Sequence, residues 1–472
     1  MSNEEVHVVM LPWSAFGHMI PFFQLSVALA RSGIRVSYVS TPRNVSRLPR
    51  VPPGLENLLT FVELPLPTLD VLEGGEATVD LPFEKIQHLE VAYDLLKQPF
   101  AELVAGLTPD WVVVDMAPHW AAEVAREKQA GLVYFSVTSA CTDMFLQNPE
   151  CLLVGSEGQK RLRPSWESLT SPPQWVDFPS KVAYNKHIAP LLYQALYEVN
   201  DSGLSTGERI FKVVTSCQVA AVRSCPEFEA DYLHLLGKIL RKPVIPVGLL
   251  LPEEENKPDQ GKIVKSGSWE GIFRWLDKQE PKSVVYVGFG SEFKLSKEHV
   301  YEIAYGLELS GLPFLWALRR PQWASNETEA LPPGFVARTS GRGHISLGWA
   351  PQLEILSHPS VGGTLFHSGW GSIIESLQHG LALVLLPFII DQPLMARLLA
   401  EKGLGVEVER GEDGSFERDD VAKALRFAMV SEEGRELRDK AKEAAGTFGN
   451  RQLQDQYMEK FVKFLKTKQI EP

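Results

Sequence analysis

The sequence predicts an α/β protein made of two doubly wound parallel-sheet domains facing across a cleft, and three observations lead there. At 472 residues the chain is too long for one ordinary core, and two domains of roughly 200 to 250 residues each are the natural division. It opens as strand, loop, helix and strand, the unit from which parallel sheets are built. Its second half carries another strand, loop, helix and strand between Gly362 and Leu386, with polar residues gathered at the turns. Open sheets of this kind keep their ligands beyond the carboxyl ends of the strands, so a cleft lined by two of them is where function is expected.

The bulk composition narrows the classes. A content of 44% hydrophobic and 22% charged residues is that of an ordinary globular protein, and the net charge of −12 argues against nucleic acid or an anionic membrane as partner. Cys141, Cys151, Cys217 and Cys225 have neither metal-ligand spacing nor the density of a disulfide scaffold, and read as reduced, buried thiols. Glu4 and Glu5 stand where a signal peptide needs positive charge. No run approaches the ~18 apolar residues of a membrane span. A cytoplasmic protein with no membrane insertion is expected.

Val6 to Leu11 is an apolar run of strand length, followed by the loop Pro12 to Met19 and a helix from about Pro21 whose buried face is Phe22, Leu25 and Leu29. Arg35 to Ser40 is the next strand. His18 lies in the first loop, where a histidine serves either as a functional group at the carboxyl end of a strand or as a helix cap. Asp115 ends another apolar strand, Pro109 to Val114, and taken alone is a candidate cap. Together the two suggest a base and its orienter, because a carboxylate on one imidazole nitrogen fixes the tautomer and stabilises the protonated ring. Between Glu150 and Gly207, Pro164, Pro172, Pro173 and Pro179 interrupt any alternation. That segment is expected to form loops and one helix around Ile188 to Val199, its aromatic residues explained as well by packing as by contact with a ligand.

Beyond the polar run Glu253 to Gly267, a linker by composition, the strand Ser283 to Val287 leads into Gly288-Phe289-Gly290-Ser291. Glycine lets the backbone approach a phosphate there, and Ser291 can donate to it. Ser296 is placed to cap a helix ending near Gly311, and Phe314 to Leu318 returns as a strand. The richest stretch runs from Trp349 to Gln392. In it Gly362 to Phe366 reads as a strand, His367 to Ser372 as a loop, and Ile373 to His379 as a helix closed by Gly380. The first N–H groups of such a helix and its positive dipole end suit an anion, with Ser372 and the ring of His367 as further donors. A strand from Ala382 to Leu386 then delivers Asp391 and Gln392.

This stretch, WAPQLEILSHPSVGGTLFHSGWGSIIESLQHGLALVLLPFIIDQ, is similar in length and spacing to the plant secondary-product signature of the family-1 UDP-sugar-dependent glycosyltransferases. The resemblance implies the GT-B arrangement and a set of donor-site roles. Trp349 would stack on uracil with Ala350 beside it, and Gln352 and Glu375 would bond the ribose. His367 and Ser372 would hold the pyrophosphate with Ser291, while Trp370, Asp391 and Gln392 would contact the sugar. It also implies Thr138 near the sugar, and His18 with Asp115 as the catalytic pair. Ser368 stands where the family commonly has Cys, and Gly371 where it commonly has Asn. The Gly371 departure is shared by members that extend existing sugars.

The implied domains are 1–250 for the acceptor, with 150–207 as an acceptor-side segment and a C-terminal helix at 450–472 packing back on the domain, a linker at 251–267, and 268–449 for the UDP-sugar. The implied reaction is inverting transfer of glucose from UDP-glucose to a sugar hydroxyl of a terpenoid, steroid or flavonoid glycoside. The alternatives are UDP-rhamnose as donor, the bare aglycone as acceptor, or a non-catalytic binder of UDP-sugar. A nicotinamide-dependent oxidoreductase is disfavoured, since no GxGxxG opens either half with an acidic residue about 20 positions on. Phe16, Glu292 and Phe388 are candidate acceptor contacts, and Glu292 is equally open to reading as a solvated carboxylate. A monomer is expected, with no metal and no cofactor, the UDP-sugar being a co-substrate.

Overall fold

The computed structural model describes residues 6–252, 269–326, 329–348 and 350–467. The first sheet has seven parallel strands: β1 (His7–Leu11), β2 (Arg35–Ser40), β3 (Leu59–Glu63), β4 (Trp111–Val114), β5 (Gly131–Ser136), β6 (Val219–Val222) and β7 (Val244–Pro246). Their order is β3-β2-β1-β4-β5-β6-β7. The second sheet has six: β8 (Val284–Gly288), β9 (Phe314–Leu318), β10 (Gly343–Leu347), β11 (Val361–Phe366), β12 (Ala382–Leu385) and β13 (Gly405–Glu407), in the order β10-β9-β8-β11-β12-β13. Central strands such as β1 and β12 are buried along their whole length, as continuous apolar strands covered on both faces must be.

Both orders reverse direction once. In the first sheet the reversal lies between β1 and β4, where Leu11 pairs with Val114. In the second it lies between β8 and β11, where Gly288 pairs with Phe366. The loops leaving those strands diverge to opposite sides and open a crevice between them. His18 and Asp115 follow the first pair of strands, and Gly290 and His367 follow the second.

Two helices begin earlier than local signals suggest. The first spans Phe16–Arg31, so His18 sits in its opening turn and Pro21 inside it. The start escapes notice because Ala15 occupies the N-cap in extended backbone with no side-chain capping bond, whereas sequence reading relies on Ser, Thr, Asp or Asn there. The other spans Trp370–Leu377 rather than beginning at Ile373, with Gly369 as N-cap. Ser368, at φ +67°, turns the chain so sharply that little loop is needed. Ser296 does cap the helix Lys297–Ser310, accepting from the His299 N–H, and Gly311 ends it in left-handed backbone.

The chain divides into two compact units. One gathers the residues up to Pro179, Pro190–Leu250 and the helix from Arg451; the other gathers Ser180–Ala189 and Leu251–Asn450. Of the expected linker, 253–267 lies outside the described residues. The expected acceptor-side segment holds the short helices Pro149–Leu152 and Glu157–Leu162 as well as Ala189–Tyr197. Within it the buried Arg163 guanidinium lies 4.8 Å from the Trp175 ring and 4.6 Å from Phe145, so Trp175 is engaged in packing. All four cysteines are buried free thiols. Among the described residues no helix is long and apolar enough to cross a membrane.

The terminal helix Arg451–Thr467 belongs to the first unit. Phe461 and Leu465 enter the same apolar cluster as Val8, Met10 and Trp111, and the Trp111 indole N–H donates to the Leu465 carbonyl at 3.0 Å. Gln454 accepts from the Leu249 N–H at 2.8 Å. Truncating a fully buried phenylalanine removes both transfer energy and packing, so Phe461→Ala should destabilise the first unit by ~3–5 kcal/mol. Urea unfolding followed by tryptophan fluorescence measures this; a loss below ~1 kcal/mol would show that the helix is not part of that core.

Candidate active site

Asp115 is 2% exposed and its carboxylate has three donors around it. The Trp13 N–H donates to Oδ2 at 2.6 Å, the Ala117 N–H to Oδ1 at 3.0 Å, and His18 Nδ1 lies 2.8 Å from Oδ2. A carboxylate accepts only, so Nδ1 of His18 carries the proton and the neutral ring has its lone pair on Nε2. Burial pushes the Tyr38 and Tyr93 hydroxyls well above their ordinary pKa, and the negative charge of Asp115 adds to that rise. Tyr93 donates to the Pro12 carbonyl and meets Trp13 edge-on at 5.1 Å, which fixes the loop that supplies the Trp13 N–H. The pair can therefore accept a proton at Nε2 and stabilise the imidazolium that results.

In the second unit the imidazole of His367 fits between two glycines. A Cβ at Gly290, where φ is +66°, would come within 2.9 Å of its Cε1, and one at Gly369 within 2.6 Å of Nε2. Burial lowers the His367 pKa to about 4, against an opposing pull from the Gly288 backbone. The ring is neutral at pH 7 and offers a phosphate one N–H rather than a full charge. Trp370, Gly371 and Ser372 are the first three residues of the helix Trp370–Leu377, at the positive end of its dipole, a position that suits an anion.

Gln352, the first residue of the helix Gln352–Leu356, meets Glu375 in the second turn of the helix Trp370–Leu377, the Gln352 amide donating to Glu375 Oε2 at 2.5 Å. Tyr286 on β8 donates to Gln352 Oε1 at 3.0 Å. Ala350 accepts from the Gln352 N–H at 2.8 Å. Asp391 is the N-cap of the helix Gln392–Lys402. Gln392 turns its Oε1 back to the Phe388 and Ile389 N–H groups, at 3.0 and 3.1 Å. Trp370 is 3% exposed and its ring packs edge-on against Phe448, so the ring expected to contact the sugar is engaged in packing. Trp349 lies outside the described residues.

Comparison with known proteins shows the family. A family model described as UDP-glucoronosyl and UDP-glucosyl transferase matches residues 272–436, and one described as glycosyltransferase, N-terminal domain, matches residues 4–193. UDP-glycosyltransferase 91A1 of Arabidopsis thaliana is 42% identical over 470 residues, covering 98% of this chain and 97% of that protein. The chain belongs to the plant family-1 UDP-glycosyltransferases. Soyasaponin III rhamnosyltransferase of Glycine max is 40% identical, with 99% of this glycosyltransferase and 97% of that protein covered. Among solved structures, Glycyrrhiza uralensis UGT73P12 superposes with a TM-score of 0.79 at 23% identity, covering 98% of this chain and 96% of that one. Os79 from O. sativa superposes at 0.75 with 24% identity, covering 97% and 100%. The fold of this glycosyltransferase is GT-B.

The remaining expected contacts are placed as follows. Thr138 lies in the loop after β5 and donates to Asp143 at 2.9 Å. Phe16, the first residue of its helix, packs against the core of the first unit while staying partly exposed. Ser291 and Glu292 are both half-buried, their side chains 3.5 Å apart, and Arg319 donates to the Ser291 carbonyl. Phe388 is buried, stacked on Phe293 at 4.2 Å with the Arg410 guanidinium 4.9 Å from its ring, so packing accounts for it. Sequence reasoning did not single out the Trp13 and Ala117 N–H groups or the space that Gly290 and Gly369 leave for His367. Backbone donors and missing side chains carry no residue-type signal.

The glycine sandwich yields two predictions. Gly369 has ordinary extended backbone, φ −67° and ψ 140°, so Gly369→Ala should fold yet push the imidazole aside. Losing a hydrogen bond to a charged pyrophosphate should weaken UDP binding on the order of 10- to 100-fold by calorimetry; an unchanged Kd would remove His367 from the phosphate site. Second, the His367 ring of the ligand-free enzyme should titrate near 4 by NMR, and a midpoint near 6.5 would contradict its burial. The sign follows from linkage: the unfolded chain takes up this proton first, so the stability it contributes is lost as pH falls from about 6.5 towards 4. His119, also held down to about 4 by burial, acts in the same direction.

Proposed function

We propose that this glycosyltransferase moves glucose, with inversion, from UDP-glucose to a sugar hydroxyl on the glycoside of a small apolar plant metabolite such as a terpenoid, steroid or flavonoid. The observation that carries the reading is the ring of His18 with Nδ1 tied to the buried Asp115. The acceptor hydroxyl gives its proton to Nε2 as its oxygen forms a bond to the anomeric carbon. The bond from that carbon to the departing UDP oxygen breaks on the opposite face, and the imidazolium is stabilised by Asp115. Charge growing on the pyrophosphate is met by the N-terminal N–H groups of the helix Trp370–Leu377 and by neutral His367. The reading calls for no metal and no further cofactor.

Support for a glycoside acceptor comes from Gly371, which puts no side chain at the second position of that helix, and from Glu292, a half-buried carboxylate able to accept from a sugar hydroxyl. Mogroside IIIx synthase of Siraitia grosvenorii, 34% identical over 452 residues, and soyasaponin III rhamnosyltransferase are relatives whose names point to glycosides. The latter also keeps UDP-rhamnose as the second reading for the donor.

His18→Ala should lower kcat at least ~100-fold while leaving the Kd for UDP-glucose unchanged, because general-base assistance is typically worth ~10² to 10⁴. Near-normal turnover would reject the assigned base. A monoglucoside and its bare aglycone assayed side by side with UDP-glucose should differ in kcat/KM in favour of the monoglucoside. Preference for the aglycone would mean that the enzyme makes first glycosides.

A further inference from the structure

Residues 180–189 lie in the first half of the sequence but belong to the second unit. Three bonds fix this strap there. The Lys181 N–H donates to Glu401 Oε2 at 2.6 Å, Arg397 donates to Asn185 Oδ1 at 2.5 Å, and the buried Tyr184 hydroxyl donates to the Ile390 carbonyl at 2.9 Å. Ile390 is the residue immediately before Asp391. It is an exposed, β-branched residue at φ +50°, a conformation that persists only where the surroundings over-determine it.

The loop from Pro387 to Ile390 is gripped at both ends. Arg410 donates to the Pro387 carbonyl at 2.7 Å, and Gln392 takes the Phe388 and Ile389 N–H groups. The Ile390 carbonyl, at the strained residue itself, is held by Tyr184. Without that hydroxyl the Ile390 carbonyl loses this donor, which favours relaxation of Ile390 towards negative φ and with it a changed direction of the Asp391 carboxylate.

We infer that Tyr184 is a positioning residue for sugar recognition: its hydroxyl holds Ile390 in left-handed backbone and so aims Asp391 at the hexose of the donor. The inference rests on the reading of Asp391 and Gln392 as sugar contacts. It places the effect on the sugar, since the strap's bonds to Ile390, Arg397 and Glu401 act on the loop before Asp391, whereas the Gln352–Glu375 pair and His367 stand on other elements.

The test compares the full chain with Tyr184→Phe, which keeps the ring and removes only the hydroxyl. By calorimetry the variant should bind UDP-glucose about 5- to 10-fold more weakly, the range expected from one hydrogen bond, while its Kd for UDP stays within about twofold. Equal weakening of both ligands, or of neither, overturns the inference. A parent protein that binds neither UDP nor UDP-glucose contradicts the functional reading instead. A crystal structure of ligand-free Tyr184→Phe decides the positioning role independently of any ligand: Ile390 should leave the left-handed region, and a φ still near +50° overturns it.

Discussion

The first unit depends on one buried carboxylate. Asp115 ends the run that begins with β4, and its oxygens tie together the loop after β1, through the Trp13 N–H, its own loop, through the Ala117 N–H, and the first turn of the helix Phe16–Arg31, through His18. A carboxylate this enclosed is stable only because every donor around it is in place. The contacts that fix the His18 ring also join the loops at the carboxyl ends of β1 and β4. This also accounts for a helix that starts without a capping side chain: the segment preceding it is already anchored to Asp115.

The second unit meets the same topological opportunity with different chemistry. The histidine beside its crevice between β8 and β11, His367, is kept neutral by burial, and the room around it is made by glycine. Positive-φ residues gather at the same end of the sheet: Gly290, Ser368 and Ile390 all follow strands whose loops face the site. Ser368 adds a cost, because its hydroxyl is fully buried with no hydrogen-bonding partner. A thiol, the family's common group at this position, is a weaker donor and leaves less unsatisfied.

How much of this was legible in the sequence depends on what encodes each feature. The strands Arg35–Ser40 and Phe314–Leu318 follow from apolar runs and have the expected bounds, and His18 and Asp115 follow from their places at the ends of parallel strands. The starts of the helices at Phe16 and Trp370 were not legible, since a distant carboxylate and a left-handed serine set them. The residue type of Trp370 points to an indole open to a ligand, yet its ring is buried against Phe448. By sequence the strap at 180–189 belongs to a Pro-broken acceptor segment, because the bonds that assign it to the second unit reach residues such as Ile390, Arg397 and Glu401, far along the chain.

The central claim is that buried Asp115 fixes the tautomer of His18 and so leaves Nε2 as the base. The direct measurement is the ¹⁵N NMR spectrum of histidine-labelled enzyme near pH 8, with His18 assigned by its loss in the His18→Ala variant. The account predicts a protonated Nδ1 and an unprotonated Nε2 for His18, with the difference erased in Asp115→Ala. A ring protonated at Nε2 in the parent enzyme would contradict it.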